Sequence, residues 1–155
     1  MGRLGGIARH DRSRGPIETL DHVAVTRTLG VRGDLRGAVR PGKTGRRQIS
    51  LIEAESWEAA LGELQPAPER ELAWHVRRAN LLVQGIRLPR EPGKVIAIGK
   101  TLRIEITCEC DPCNRMDEIH PGLKLALMPD WRGGILGRVL TDGDIAIGDE
   151  VRIEQ

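Results

Sequence analysis

The chain has 155 residues and a mass of 17.1 kDa, is 39% hydrophobic and 30% charged, and carries a formal net charge of +2. That length suits one domain over residues 1–155 with a core large enough to stand without staples, and the composition excludes a disordered chain. No apolar run approaches the roughly 20 residues of a membrane span, and the first 25 residues hold Arg3, Arg9, Asp11, Arg12 and Arg14 without an apolar stretch, which excludes a secretory signal.

In chain order, residues 1–10 read as a first strand, and residues 16–28, with Ile17, Val23 and Val25 among polar neighbours, as further extended chain. Residues 30–45 hold five glycines and Pro41, a long loop of the kind that is usually functional. Residues 48–52 form a short strand that leads into a helix over 53–64. There Trp57, Ala60, Leu61 and Leu64 share one face, Glu53, Glu55 and Glu58 sit early, where the helix dipole favours acids, and Pro66 and Pro68 follow the end. Residues 69–76 read as a second short helix and residues 80–84 as extended chain. Val95, Ile96 and Ile98 lead to a tight turn at Gly99-Lys100, after which Leu102, Ile104 and Ile106 alternate with Arg103, Glu105 and Thr107 in a half-buried strand. Residues 119–128 read as a short helix. Residues 135–140 read as a strand, Asp142-Gly143 as a type I′ hairpin turn, and residues 144–147 as its return strand. Gly148-Asp149 turns once more into Val151 and Ile153. Short strands parted by glycine turns, with one to three short helices, predict a mainly β fold, a barrel or sandwich with helical insertions.

Charge is unevenly placed. Residues 1–47 carry eleven Lys/Arg against four Asp/Glu, a net of +7, and the remainder carries thirteen against eighteen, a net of −5. A basic N-terminal third points to an anionic cofactor or small molecule, or to a solvated surface balanced in space. Nucleic acid is not expected: Phe and Tyr are absent, so stacking platforms are nearly lacking, and a pI near 8.6 is short of a strongly basic footprint.

All three cysteines fall within Cys108-Glu-Cys110-Asp-Pro112-Cys113, directly after the alternating strand. An odd, tightly packed set is not a disulfide framework and indicates a reducing, cytoplasmic setting. Thiolate is the reactive and metal-binding form of cysteine, and Arg115 brings a cation two residues from the last sulfur. Three readings stand side by side. Cys108, Cys110, Cys113 and His120 make an acceptable zinc set for a small binding module without catalysis. Alternatively, one cysteine binds a soft transition metal or carries sulfur. Otherwise the three are inert packing residues.

Gly30-Val-Arg-Gly33-Asp34 is a turn whose amides suit an anion, or simply a turn. Arg46-Arg47 and Arg77-Arg78, with Asn80, stand at the ends of elements, where they suit phosphate or carboxylate. His10 and His22 show no partner. His75 lies two residues before Arg77, and Trp131 reads as a packing residue.

Taken in order, these pieces resemble the MOSC domain, the C-terminal domain of molybdenum cofactor sulfurases and its small stand-alone bacterial relatives. The resemblance rests on Gly30-x-x-Gly33-Asp34, Gly45-Arg-Arg-Gln-Ile-Ser-Leu-Ile52, Arg78-Ala-Asn80 with Gly85, and Gly93 to Gly99. It continues through Pro112-Cys113, Gly133-Gly134-Ile135, Arg138-Val139-Leu140 and Gly143-Asp-Ile-x-Ile-Gly148-Asp149-x-Val151, and so runs from about residue 15 to the C-terminus. It implies a MOSC-type β-barrel with helices at its edge. The family cysteine falls on Cys113, which in relatives that hold molybdenum cofactor is the metal's protein ligand and in others is proposed to carry sulfur. By inference from the resemblance, Arg46, Arg47, Arg78 and Asn80 are placed to line the same pocket and hold the pterin phosphate, and Gly33 and Asp34 are further cofactor-binding candidates. The implied activities are reduction of N-hydroxylated compounds by a molybdenum-dependent oxidoreductase, and sulfur transfer in cofactor assembly, with a redox or sulfur-donor protein as partner. Pyridoxal phosphate enters only as an association of the wider family. Cys108 and Cys110 are additions the family does not require.

Overall fold

The alternation of Leu102, Ile104 and Ile106 with polar neighbours becomes one stave of a closed barrel in a computed structural model, which describes residues 1–154. The elements are β1 (Gly2–Arg9), β2 (Glu18–Leu20), β3 (His22–Thr26), β4 (Gly30–Val31), β5 (Ile49–Glu53), α1 (Ala54–Gly62) and β6 (Leu81–Gln84). They continue as β7 (Val95–Ile98), β8 (Leu102–Glu109), α2 (Arg115–Ile119), α3 (Leu123–Leu127), β9 (Ile135–Thr141), β10 (Gly143–Ala146) and β11 (Glu150–Glu154). Seven strands close in the order β1-β11-β7-β8-β9-β5-β6, with β6 returning to β1 and β2 lying outside it on β1. Among the described strands only the β5–β6 pair is parallel, Leu51 facing Leu81, because α1 carries the chain across between them. Strands β10, β3 and β4 form a separate small sheet.

Period-two burial sorts the side chains into two cores. Ile49 and Leu51 of β5, Leu81 and Val83 of β6, and Leu102, Ile104 and Ile106 of β8 fill the barrel. Ile52, on the other face of β5, joins Trp57, Ala60 and Leu64 with Met116, Leu123 and Leu127 in a second cluster under the helices. Each fully buried Leu or Ile contributes about 1.5–3 kcal/mol.

Three local expectations change. The helix over residues 69–76 is only a 3₁₀ turn, Trp74–Arg77. The helix over residues 119–128 is split into α2 and α3 at His120-Pro121-Gly122, where proline cannot extend α2 and Gly122 takes φ 91°. The hairpin at Asp142-Gly143 does not form. A type I′ turn needs positive φ at both central residues, and neither has it. Instead the Asp142 carboxylate accepts the Arg27 backbone N–H at 2.7 Å, and β10 pairs with β3, Ile145 facing Val23.

A candidate anion and thiol site

A cavity of about 180 Å³ opens where the ends of β1, β4 and β8 meet the start of β6. Its wall carries Arg36, Arg47, Arg77, Arg78 and Arg115 against two carboxylates, Asp34 and Asp111. Among the described residues, none of those five arginines forms a salt bridge. Cys110 and Cys113 line the same wall.

The thiol loop is held from behind. Arg77, 8% exposed, donates through Nε to Gly133 O (3.2 Å) and through Nη2 to Cys110 O (2.8 Å) and Cys110 Sγ (3.4 Å). The Cys110 N–H in turn donates to Gly134 O at 2.9 Å. Gly134 has φ 103°, and a Cβ there would lie 2.2 Å from Leu51 O, so only glycine lets β9 start this close to β5. Beyond Pro112, Cys113 is exposed, and its carbonyl accepts the Met116 N–H at 3.0 Å.

Arg78 sits in the left-handed region, φ 69°, at the end of the 3₁₀ turn. Its Nη2 donates to Gly15 O at 2.6 Å, while its Nε is buried without any partner. Burial, then the charges of Arg115 and Arg14, pull its pKa down, with Asp34 opposing. A buried donor left unpaired costs free energy that a ligand can restore.

His10 closes the other side, its side chain 13% exposed. The Asp34 carboxylate, 3% exposed, accepts the His10 backbone N–H at 3.2 Å, and its Oδ1 lies 3.9 Å from His10 Nδ1. Burial lowers the His10 pKa, reinforced by Arg78, Arg36 and Arg115 and opposed by Asp34. Burial and the adjacent Asp111 push the Glu109 carboxyl up.

The structure brings Arg47, Arg78, Asn80, Asp34 and Cys113 onto one wall. Asn80 is 5% exposed and already engaged: Oδ1 accepts the Ser50 N–H (3.0 Å), and Nδ2 donates to Ala8 O (3.2 Å). It clamps β1, β5 and β6 together rather than offering a free amide. Arg46 lies off the cavity; it is exposed, and its carbonyl accepts the Thr107 hydroxyl. Gly33 lies off it too, in an adjoining pocket with Arg9 and Arg32, where its φ of 84° shapes the turn before Asp34.

The zinc set of Cys108, Cys110, Cys113 and His120 is not assembled: among the described residues no three His, Cys, Asp or Glu side chains group as a metal site. Cys108 stays in β8 opposite Leu136, and His120 Nδ1 lies 2.9 Å from Pro121 O. Sequence reasoning missed His10 and Arg36. Arg36 lies only two residues beyond the Gly30–Asp34 turn, a signal that was there to use; His10, at the end of β1, has no local motif.

A family model described as the MOSC domain matches residues 22–152. Among solved structures, the YuaD protein from Bacillus subtilis superposes with a TM-score of 0.75 at 20% identity, over 99% of this chain and 96% of that one. YiiM from Geobacillus stearothermophilus gives 0.70 at 15% identity, over 100% of this chain and 76% of that one. YiiM from Escherichia coli gives 0.68 at 15%, over 99% and 70%. At these identities the likeness concerns the fold. No curated protein matches the sequence. No helix among the described residues is long and apolar enough to cross a membrane.

Proposed function

The chain belongs to the MOSC domain family, and on that premise we propose that it holds a molybdenum cofactor, or carries sulfur, on Cys113. The observation that carries the reading is the exposed Cys113 thiol on the same wall as Arg78, whose buried Nε lacks a partner. A thiolate is a soft ligand suited to such a metal. Guanidinium groups free of carboxylates suit a phosphate, which they bind through charge-assisted hydrogen bonds. The residues present therefore fit the group. Cys113 would meet the metal, and Arg47, Arg78 and Arg115 would meet the anionic end.

The cavity, about 180 Å³, accepts that end alone. The rest of a pterin would extend into the adjoining pocket that shares Arg78 and Arg115, or into the one that shares His10. When bound, the cofactor would supply two-electron oxygen removal from N-hydroxylated compounds. The protein's own part is to bind the group and to neutralise its charge. Turnover would need a redox or sulfur-donor protein as partner.

The test is elemental analysis and persulfide labelling of protein purified from a host that makes molybdenum cofactor. Cys113→Ser should lose the molybdenum or the persulfide, and Cys108→Ser should keep it. Equal loss from both variants would refute the assignment to Cys113.

A further inference from the structure

Cys110 and Cys113 form a C-x-x-C pair, and the family resemblance accounts only for the second thiol. Both residues line one cavity of about 180 Å³. Cys113 is the exposed member, reachable by a small solute, and Cys110 is half-buried. Arg77 grips Cys110 through both O and Sγ, which fixes that sulfur's direction. The intervening Asp111 and Pro112 belong to no helix or strand. Cys108 is placed differently, within β8 and off the cavity wall.

We propose that Cys110 is a resolving thiol for Cys113, so that the pair closes into an intramolecular disulfide when the cavity meets a hydroperoxide. In the first step the Cys113 thiolate attacks one peroxide oxygen. An S–O bond forms, the O–O bond breaks, and the departing oxygen leaves as water, or as an alcohol, after taking a proton. In the second step the Cys110 thiolate attacks the Cys113 sulfur. The S–S bond forms, the S–O bond breaks, and a water leaves. Two thiols are oxidised by two electrons and one peroxide is reduced. With two residues between the partners, the loop-closure cost is small. Fast capture of the sulfenic acid also protects Cys113 from the irreversible sulfinic and sulfonic states. The inference concerns the cofactor-free chain, in which both thiols are free, and does not depend on which group Cys113 takes up otherwise.

The experiment uses the full chain without cofactor, treated with hydrogen peroxide, alkylated, and mapped by mass spectrometry. The three free thiols should fall to one. The peptide spanning Cys110 and Cys113 should lose two hydrogens and regain them on treatment with dithiothreitol. Cys108→Ser should still close the pair. Cys110→Ser should instead pass to sulfinic and sulfonic acid at Cys113. A disulfide that uses Cys108, a link between chains, direct over-oxidation of Cys113 in the unaltered protein, or a thiol count that stays at three would each overturn it. Loss of molybdenum retention on Cys113 would leave the disulfide standing, so the two readings fail separately.

Discussion

Two arginine-rich regions of this molecule differ in how their charge is met. At the start of α1, the Glu53 carboxylate is buried and met by three donors. Arg90 pairs with both its oxygens, the Leu88 N–H donates at 2.6 Å, and Ser56 Oγ donates at 2.7 Å. Asp130 extends that network to Arg87. Elsewhere, the cavity near Cys113 gathers five guanidiniums that form no salt bridge among the described residues, and it leaves Arg78 Nε unpartnered. Charge that is fully satisfied inside the chain is doing structural work. Charge left unsatisfied on a concave wall is waiting for something outside the chain.

The largest effect should come from breaking the satisfied side. Burial alone would raise the Glu53 carboxyl; hydrogen bonds from Arg90, Ser56 and the Leu88 amide, with the Arg90 charge, outweigh it and hold it low. Glu53→Gln removes the buried carboxylate that Arg90 grips with two nitrogens, leaving it only the more distant Asp130 carboxylate at 3.7 Å, and should cost about 3 kcal/mol in urea unfolding. Because the folded pKa is depressed, this stabilisation is present above the unfolded value and is lost as pH falls through the folded one. Urea midpoints of the two proteins should therefore converge in acid; parallel curves would show that Glu53 is not the group that matters.

The next test separates the regions directly. Arg78→Gln removes the unpaired donor from the cavity. Sulfate binding by calorimetry should weaken about tenfold or more, the worth of one charge-assisted hydrogen bond. The unfolding midpoint should hold or rise, since a partly buried cation without a carboxylate is removed. A variant that loses stability but keeps its sulfate affinity would place Arg78 with Glu53, as scaffold.

Much of this contrast was legible in the sequence, but unevenly. The barrel staves announced themselves through alternation, as in Leu102–Ile104–Ile106, because period-two burial is a local property. Cys113, Arg47, Arg78 and Asp34 stood in recognisable pieces, and they do converge. Asn80 lies on the same wall, but a sequence shows an amide and not that Ser50 and Ala8 engage it. The Asp142-Gly143 hairpin failed because the competing partner, the Arg27 N–H, lies 115 residues away. The zinc set failed for a similar reason: spacing shows that thiols are near in the chain, and not which of them a strand register turns away. The surroundings of His10 are tertiary: pairing of β6 on β1 brings Arg78 near its end, and the turn after β4, in the separate small sheet, brings Asp34.

That histidine gives the smallest effect and the finest probe of the unsatisfied side. Facing it are Arg36, Arg78 and Arg115 against Asp34, with Arg47, Arg77 and Asp111 elsewhere on the wall. Burial first, then those cations, lower its pKa in the free protein. The unfolded chain therefore takes up a proton before the folded one does, and stability declines as pH falls from the ordinary histidine value toward the lowered one. An anion in the cavity offsets the cations and favours the imidazolium, so binding should be coupled to proton uptake. Sulfate, which does not titrate in this range, should bind severalfold more tightly as pH falls through that window. Calorimetry in two buffers of different ionisation enthalpy should register the proton taken up, and His10→Gln should abolish it while still binding sulfate. An unchanged uptake in that variant would assign the proton to another group, with Glu109, off the wall but beside the cavity-lining Cys110 and pushed up by burial and Asp111, next in line.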